Sequence, residues 1–359
     1  MHVAVDTNAI YTTQAGSARY VRGLLRGITQ AQPADVRVTQ VAWPVENFAY
    51  RQPQRAFKTF YRELIWSRFV APRLLARQGV DLFHSTARAM VQPPRGIAHI
   101  ATLLDLAVLR TPERFRKWHR RSARNSLQRL SQAAQITCIS EFTAKEAMQL
   151  LGLPPSKLTV VYIGCEFHPD EGPVGEQLPD FPVPDEFFLF VGSLEPGKNL
   201  ALLKAVYQQA QAEGINLPPL LVVGARWQGV EGEGKPPANW HYLGRQPDAV
   251  LVCLLRRAQA LVFPSKYEGF GLPVVEAMAL GCPVICSPVA SLPEVGGEAA
   301  LFTEMTVPGY LKSMQSIQRD NNLRSELVAK GLVQARRFSW KRCAQETIEV
   351  YRRAWKQAL

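Results

Sequence analysis

The sequence lacks the cysteine and histidine patterns of disulfide frameworks and metal sites. Its six cysteines include no C-x-x-C pair, and most of them lie within apolar runs. Cys282 and Cys286 alternate along a predicted strand, which puts both on one face, and no second pair of cysteines or histidines follows. The six histidines show no metal-ligand spacing. We therefore expect reduced core thiols, as in a cytoplasmic protein, and no bound metal.

Long uncharged apolar runs are also missing. No run reaches the length that a helix needs to cross a bilayer. The first residues, MHVAVDTNAIY, lead directly into a predicted strand and show no signal-peptide pattern. The expected location is the cytoplasm, with peripheral attachment to the cytoplasmic membrane face left open.

Acidic residues are fewer than basic ones, 30 against 42, which gives a net charge of +12 over 359 residues. No basic low-complexity tail is present, so the excess belongs to the folded surface. Such a charge favours anionic partners, namely nucleotides, nucleic acids or an anionic membrane surface. We do not expect nucleic acid, because the basic segments lack interleaved aromatic residues and contain no recognisable nucleic-acid-binding module.

The chain is longer than most proteins with a single hydrophobic core, so we expect two domains. Predicted strands and helices alternate through both halves. This pattern predicts an α/β protein with two parallel, doubly wound sheets, whose ligands bind beyond the carboxyl ends of the strands in a cleft between the domains. We place the first domain at 1–170, a linker rich in Pro, Gly and acidic residues at 171–185, the second domain at 186–338 and a C-terminal helix at 339–359.

The most informative stretch follows a predicted buried strand in the second half and reads FPSKYEGFGLPVVEAMALGCPVICSPVASLPEVGGE. Glu268 lies in a loop with Gly269 and Gly271, and a short helix is predicted to start at Leu272, where a following proline suits the first turn. A helix N-terminus attracts phosphate, and glycine lets the backbone approach a ligand closely. Glu276 lies on that helix. Two glutamates at this spacing alone would still favour a plain strand–loop–helix turn with solvated carboxylates.

Other candidate binding residues follow predicted strands in the same way. The second half offers a cation, a helix N-terminus and two carboxylates, which is the outline of a site for a sugar attached to a nucleoside diphosphate. The candidates are Asp6, Gly16, Ser17, Asp105, Ser140, Glu141, Ser193, Lys198, Arg226, Glu268 and Glu276.

Several phrases together carry a family resemblance that covers nearly the whole chain. These phrases are GSARYV from Gly16, ISEF from Ile139, VVYIG from Val160, FVGSLEPGKN from Phe190, FPSKYEGFGLPVVEAM from Phe263 and LPEVG from Leu292. With them the sequence resembles the retaining glycosyltransferases of family 4, which implies the GT-B fold of two facing Rossmann-like domains.

The resemblance implies roles for matching residues. Glu268 would hold hydroxyl groups of the donor sugar, Glu276 would bind the ribose, and Lys198 would neutralise the diphosphate. Backbone N–H groups of Gly269, Phe270, Gly271 and Leu272 would bind phosphate. Gly16 with Ser17 and other neighbours would close on the diphosphate from the first domain, Gly244 and Arg245 would lie near the base, and the C-terminal helix would pack back on the first domain.

Two departures from the family pattern concern activity. Many relatives have a histidine immediately before the aspartate at position 105, where this chain has Leu104. Relatives also often carry arginine at or near Ser193, so Lys198, with Arg226 or Arg245, must carry more of the charge that faces phosphate. Two alternatives therefore stay open: a nucleotide-sugar epimerase or hydrolase of the same fold, and a binding homologue of low activity.

The reaction implied by the resemblance is transfer of a sugar from a nucleotide diphosphate sugar to a hydroxyl of a glycan or lipid-linked acceptor, with retention of anomeric configuration. GDP-mannose is the first expected donor and a UDP-sugar the second, in surface polysaccharide or glycoconjugate synthesis. We expect Glu268, Lys198 and Asp105 to act in catalysis, and neither a cofactor nor a metal is required.

Two basic segments of the first half suggest a surface for anionic partners. The region 110–129 carries eight basic residues against Glu113, which is typical either of a solvated helix face or of a surface for anionic lipid or a lipid-linked diphosphate acceptor. The segment 56–78 is predicted to be a helix with one apolar and one basic face. Its aromatic residues could join that surface, although core packing explains them more simply. They are Phe57, Phe60, Trp66 and Phe69.

Overall fold

A computed structural model describes the chain except for residues 13–15, 44–56, 59, 88–90, 116, 169–176, 178, 227–233 and 359. The chain forms two compact units. The first unit combines Met1–Gly164 with the C-terminal segment Trp340–Leu359, and the second is Cys165–Ser339. Most of the first half of the predicted linker 171–185 lies outside the described residues.

The first unit contains a six-stranded parallel sheet with the strand order β2-β1-β3-β4-β5-β6. Its strands are β1 (His2–Asp6), β2 (Arg37–Val41), β3 (Leu82–Ser85), β4 (Ala98–Leu103), β5 (Gln135–Cys138) and β6 (Leu158–Val160). The α-helices before the crossing to the second unit are α1 (Asn8–Thr12), α2 (Gly16–Ala31), α3 (Ala71–Arg77), α4 (Ala107–Arg110), α5 (Lys117–Leu130) and α6 (Glu141–Leu151). A π-helix (Tyr61–Val70) precedes α3, and two 3₁₀ turns span Pro112–Arg114 and Pro155–Lys157.

The second unit has its own six-stranded parallel sheet, in the order β12-β11-β10-β7-β8-β9. Its strands are β7 (Phe188–Val191), β8 (Leu220–Val223), β9 (Trp240–Gly244), β10 (Ala260–Phe263), β11 (Val284–Cys286) and β12 (Leu301–Phe302). Its α-helices are α7 (Leu200–Ala212), α8 (Asp248–Arg257), α9 (Leu272–Ala279), α10 (Leu292–Gly296), α11 (Val307–Arg319) and α12 (Asn321–Ala335), with 3₁₀ turns at Pro196–Lys198 and Gly297–Ala299.

The central strands are short apolar runs because helices cover parallel sheets on both faces. β8, with the sequence LLVV, and β10, with ALVF, are buried at every position. Phe188 and Phe190 of β7 pack with the apolar faces of α7 and α11 in one cluster. The predicted α/β fold with two parallel sheets is therefore confirmed.

The C-terminal helix α13 (Trp340–Ala358) belongs to the first unit and packs along α2. Trp340 is completely buried against three glycines, Gly23, Gly27 and Gly164, each so close that a Cβ there would overlap it. These positions need glycine because Trp340 fills the space that a side chain would occupy: its indole lies against Gly23, its carbonyl group against Gly27, and both its backbone nitrogen and its indole against Gly164.

A buried polar network ties α13 to the sheet of the first unit. His84 Nδ1 lies 2.7 Å from the hydroxyl of Tyr351, and His84 Nε2 lies 2.7 Å from Thr102 Oγ1. Thr102 Oγ1 is also within 2.8 Å of the Tyr20 hydroxyl and 2.7 Å of Thr137 Oγ1. Burial lowers the pKa of His84 to about 3, so the imidazole is neutral at pH 7.

The segment predicted as one helix at 56–78 differs from expectation. It contains the π-helix, in which N–H groups bond five residues back, followed by α3. Core packing is the correct explanation for Trp66, which is 3% exposed, and the wrong one for Phe57, Phe60 and Phe69, which are 70%, 57% and 54% exposed. A hydrophobic period shows which side chains share a face but not whether anything covers that face.

Candidate active site

The strand order of the second sheet reverses between β7 and β10. β7 is the first strand of its unit, β8 and β9 follow on one side, and β10, β11 and β12 follow on the other. In open α/β sheets, ligands bind at such a reversal, beyond the carboxyl ends of the two central strands. The loops that follow β7 and β10 are therefore the first place to look for a site.

These two loops lie against each other and bring two predicted residues together. The Lys266 N–H donates to the carbonyl oxygen of Gly197 at 2.9 Å and joins the loops. Lys198 Nζ then donates to Glu268 Oε1, although the two residues are 70 positions apart in the chain. Both side chains are largely but not completely buried, at 16% and 12% exposed, so the ion pair remains reachable from solvent.

The loop after β7 holds Lys198 in place by capping. Glu195 is buried, and its carboxylate accepts a hydrogen bond from the Gly197 N–H at 2.7 Å at the start of the 3₁₀ turn. Asn199 follows with φ +58°, a left-handed conformation that asparagine tolerates better than most residues. Lys198 Nζ lies 5.3 Å from the centre of the Phe263 ring, within cation–π range.

Ser291 holds the loop after β10. Its buried hydroxyl lies 2.9 Å from the carbonyl oxygen of Glu268 and 3.0 Å from that of Phe270. Gly271 ends the loop with φ +100°, and a Cβ there would lie 2.7 Å from Leu292 Cδ2. The loop therefore requires glycine at 271 for its backbone angle and for space.

Helix α9 begins at Leu272, directly after this loop, with no acidic residue in its first turn. Its positive end thus lies next to the Lys198–Glu268 pair. Glu276 lies one turn further along and is only 1% exposed, so its carboxylate is shielded from solvent. The proposed contact of Glu276 with ribose stays a prediction.

The loops after β8 and β9 adjoin the loop after β7. Gly224 has φ +146°, and a Cβ there would lie 1.7 Å from the carbonyl oxygen of Gly192, so no larger residue fits. The Gly224 N–H donates to the Gly244 carbonyl oxygen at 2.7 Å. Leu194 and Arg226 form an isolated parallel β-bridge. The strand ends therefore place most of the predicted residues of the second unit along one edge. These are Ser193, Lys198, Arg226, Gly244, Arg245, Glu268, Gly269, Phe270, Gly271 and Leu272.

Six of the predicted residues lie on the first unit, and three of them, Gly16, Ser17 and Asp105, were assigned roles toward the donor or in catalysis. Gly16 starts α2, and a Cβ there would meet nothing within 4 Å, while Ser17 follows in the same turn and is half-buried. Asp105 follows β4, is exposed, and accepts a hydrogen bond from the Ala107 N–H at 3.0 Å. Leu104 is half-buried beside it. Their predicted roles toward the donor stay predictions.

Asp6 ends β1 and is a buried carboxyl at a strand end of the first unit. It accepts two hydrogen bonds of 2.8 Å from Asn8, one from the backbone and one from the side chain. The Thr86 hydroxyl donates to its carbonyl oxygen at 2.6 Å. Burial raises the pKa of Asp6 to about 6, because the charged form loses solvation that the two Asn8 bonds only partly replace.

Sequence reasoning missed Glu195 and Ser291 as residues that shape the site. Glu195 immediately precedes a proline at the start of a turn, which is a capping signal that could have been read from the sequence. Ser291 gives no such signal, because its partners are carbonyl oxygens of residues more than twenty positions away.

We expect Ser291→Ala to reduce turnover while leaving the fold intact. Loss of the hydroxyl removes the hydroxyl contacts to the carbonyl oxygens of Glu268 and Phe270 and leaves only the long Ser291 N–H contact to Glu268, so the loop that carries Glu268 is less well positioned. Steady-state kinetics should show kcat lowered by about tenfold, which corresponds to an activation free energy raised by about 1.4 kcal/mol. Ser291→Thr, which keeps the hydroxyl, should recover part of the loss; equal loss in both variants would contradict the hydrogen-bond explanation.

The described residues show neither a metal site nor a membrane span. No group of three or more His, Cys, Asp or Glu side chains among them could hold a metal ion. None of the helices in the described part of the chain is long and apolar enough to cross a membrane. All six cysteines are buried and free, and burial raises the pKa of the Cys282 thiol to about 12.

Comparison with known proteins gives two family matches that together span most of the chain. Residues 15–167 match the model described as Glycosyltransferase Family 4, and residues 177–331 match Glycosyl transferases group 1. The chain is 34% identical over 267 residues to the O-antigen chain mannosyltransferase B of Escherichia coli, covering 70% of each protein.

Solved structures of the same fold cover nearly all of the chain. Sucrose-phosphate synthase from Thermosynechococcus elongatus superimposes with a TM-score of 0.73 at 17% identity, over 99% of this chain and 100% of that one. Anabaena HepE in complex with UDP-glucose gives 0.68 at 16% identity, over 98% and 99%. The predicted fold, family and enzyme class are confirmed: the chain belongs to glycosyltransferase family 4, in the glycosyl transferases group 1, and is a hexosyltransferase with the two-domain α/β GT-B fold.

Proposed function

We propose that the enzyme transfers mannose from GDP-mannose to a hydroxyl of a glycan or lipid-linked acceptor, with retention of configuration, in the synthesis of an O-antigen-type polysaccharide. The observation that carries this proposal is the Lys198–Glu268 pair at the strand reversal of the second sheet, next to the start of α9. The similarity to an O-antigen chain mannosyltransferase supports both the sugar and the setting.

The pair supplies the two groups that such a donor requires. A lysine ammonium is a compact cation that stabilises the negative charge developing on a departing diphosphate. A carboxylate accepts hydrogen bonds from sugar hydroxyls. In the free enzyme each group satisfies the other, so a bound donor replaces one internal ion pair with two contacts to the substrate.

The chemistry itself uses groups of the substrates. The bond between the anomeric carbon and the diphosphate oxygen breaks, and the acceptor oxygen forms the new bond on the same face of the sugar. The acceptor proton passes to the departing phosphate. Lys198 and the positive end of α9 lower the barrier by stabilising the diphosphate charge, and Glu268 orients the sugar.

A thermal-shift comparison of donors tests the choice of nucleotide. GDP and GDP-mannose should raise the melting temperature of the wild-type enzyme, and at about 100 times the Kd the gain corresponds to about 2.7 kcal/mol. UDP-glucose, the ligand of HepE in its complex, serves as the comparison donor. A shift with UDP compounds and none with GDP compounds would replace the proposed donor.

Product analysis tests the reaction. The purified enzyme, GDP-mannose and a membrane lipid extract should yield GDP and a mannosylated product, and Glu268→Ala should yield neither. Formation of free mannose or an altered nucleotide sugar, in place of a glycoside, would instead identify a hydrolase or an epimerase.

A further inference from the structure

Exposed large apolar side chains are concentrated in one segment of the first unit. We call these solvent-exposed residues the apolar face. They are Phe57, Phe60, Leu64, Ile65, Phe69, Val70 and Leu74. They account for more than half of the exposed large hydrophobic residues found in the described part of the chain. Soluble proteins scatter such residues singly, so a contiguous group indicates a surface that meets another apolar phase.

The segment is anchored, so its exposure is not a consequence of detachment from the core. Trp66, Ala71 and Leu75 are buried in a cluster with Phe83 of β3. The Ser67 hydroxyl donates to the Arg62 carbonyl oxygen at 2.7 Å within the π-helix. One side of the segment is thus fixed to the sheet, and the other side is presented outward.

The π-helical geometry gathers the outward residues. Because each N–H bonds five positions back, side chains four or five positions apart share a face. Phe60, the pair Leu64 and Ile65, and Phe69 follow this spacing, and Leu74 continues it into α3. Bulges of this helix type occur frequently at functional sites.

Cations are interleaved with the apolar face. Lys58, Arg68, Arg73 and Arg77 are exposed in the same segment. Between residues 57 and 77 the only acidic residue is Glu63, which is paired with Arg62 at 3.5 Å and largely buried. The surface is therefore apolar and positive with almost no counter-charge of its own.

Helix α5 extends this positive charge. It carries Lys117, Arg120, Arg121, Arg124 and Arg129 and has no acidic residue. Burial lowers the pKa of Arg129, and the charge of Arg68 in the π-helix lowers it further. The two basic segments therefore interact electrostatically.

We propose that the apolar face and the cations around it dock the enzyme on an anionic phospholipid bilayer. Exposed aromatic and aliphatic side chains would enter the boundary between headgroups and acyl chains, while arginine and lysine side chains reach the lipid phosphates. A second copy of the chain is a poor occupant, because a two-fold interface through this face would bring its cations against the same cations. The inference does not depend on which sugar the enzyme transfers.

Vesicle co-sedimentation of the full chain tests the proposal. The wild-type enzyme should pellet with phosphatidylglycerol-containing vesicles, bind at least tenfold less to pure phosphatidylcholine vesicles, and bind more weakly as salt is raised. The triple variant Phe57→Ser/Phe60→Ser/Phe69→Ser should lose at least tenfold in partitioning to the anionic vesicles. Arg68→Glu/Arg73→Glu should lose a similar factor at low salt.

A matched control removes an apolar side chain elsewhere. Val333 is 66% exposed on α12 of the second unit, so Val333→Ser changes exposed apolar area without touching the face. It should partition as the wild type does. Failure of the wild type to bind anionic vesicles, or equal binding by the triple variant, overturns the proposal.

A fluorescent probe distinguishes lipid from protein partners and does not rely on loss of binding. All six native cysteines are buried, so Phe60→Cys offers the only exposed thiol for an environment-sensitive label. Anionic vesicles should shift its emission to the blue, and the same label at Val333→Cys should not respond. If vesicles leave the emission of the Phe60→Cys label unchanged, the lipid proposal is overturned. It is also overturned if the emission shift depends on protein concentration and light scattering shows dimerisation, because the face is then a protein interface.

Discussion

Replacing Lys198 with alanine should lower kcat for sugar transfer by about 10²–10³-fold, the usual effect of removing one group that stabilises transition-state charge. Lys198 is the cation at the strand reversal, fixed by the capped turn that precedes it and paired with Glu268. The departing diphosphate gains charge as the glycosidic bond breaks, so the loss should appear mainly in kcat. Steady-state kinetics with a saturating donor measure it.

Lys266→Ala is the matched control. Lys266 is exposed, lies in the loop after β10 and contacts the neighbouring loop through its backbone N–H, which the substitution leaves intact. Its kinetics should equal those of the wild type. A Lys198→Ala enzyme with unchanged kcat and an increased KM alone would contradict the leaving-group role and leave only a role in ground-state binding.

Gly27→Ala should lower the free energy of unfolding of the first unit by about 3 kcal/mol, near the upper end for overpacked cores. A Cβ at 27 would lie 2.2 Å from the carbonyl oxygen of Trp340, which belongs to the backbone of α13 and cannot rotate away. Gly23→Ala should cost a similar amount, because its Cβ would lie 2.1 Å from the indole of Trp340. Chemical denaturation followed by tryptophan fluorescence measures both.

A double-mutant cycle separates overlap with the indole of Trp340, expected at position 23, from overlap with its backbone carbonyl, expected at position 27. Trp340→Ala removes the indole and should itself cost about 3–5 kcal/mol. In that background Gly23→Ala should no longer destabilise, because the overlapping atoms are gone and alanine favours a helix by about 1 kcal/mol over glycine. Gly27→Ala should still destabilise, since the carbonyl remains.

Gly16→Ala controls for helix propensity, because a Cβ at position 16 of the same helix meets nothing within 4 Å. It should not destabilise the first unit, and it should raise the free energy of unfolding by at most about 1 kcal/mol. Equal penalties for Gly23→Ala with and without the indole would show that the glycine is needed for another reason than close packing against Trp340.

Much of the fold could be predicted because its signals are local. Apolar runs such as ALVF of β10, followed by glycines and by a proline in the first turn of α9, indicate a buried strand, a loop and a helix from neighbouring residues alone. The long phrase around Glu268 also indicated the family, which the comparisons confirm. Roles assigned to Glu276, Gly16 and Asp105 rested on that resemblance and stay predictions.

Other features depend on contacts that periodicity does not encode. The sequence indicated an apolar face on residues 56–78 but not whether it is covered, and the structure leaves Phe57, Phe60 and Phe69 exposed. It likewise gave no sign that Ser291 binds the carbonyl oxygens of Glu268 and Phe270. Burial and distant hydrogen bonds follow from which elements become neighbours.

The sequence by itself determined the alternation of strands and helices, the family, and the residue types at the ends of the strands, because each depends on a short stretch of chain. Only the tertiary structure decided that Lys198 and Glu268 form an ion pair and that Trp340 packs into three glycines. The physical reason is that both contacts join residues far apart in the sequence. The ion pair forms because β7 and β10 are hydrogen-bonded neighbours in the sheet, and the packing of Trp340 forms because α13 returns to lie against α2.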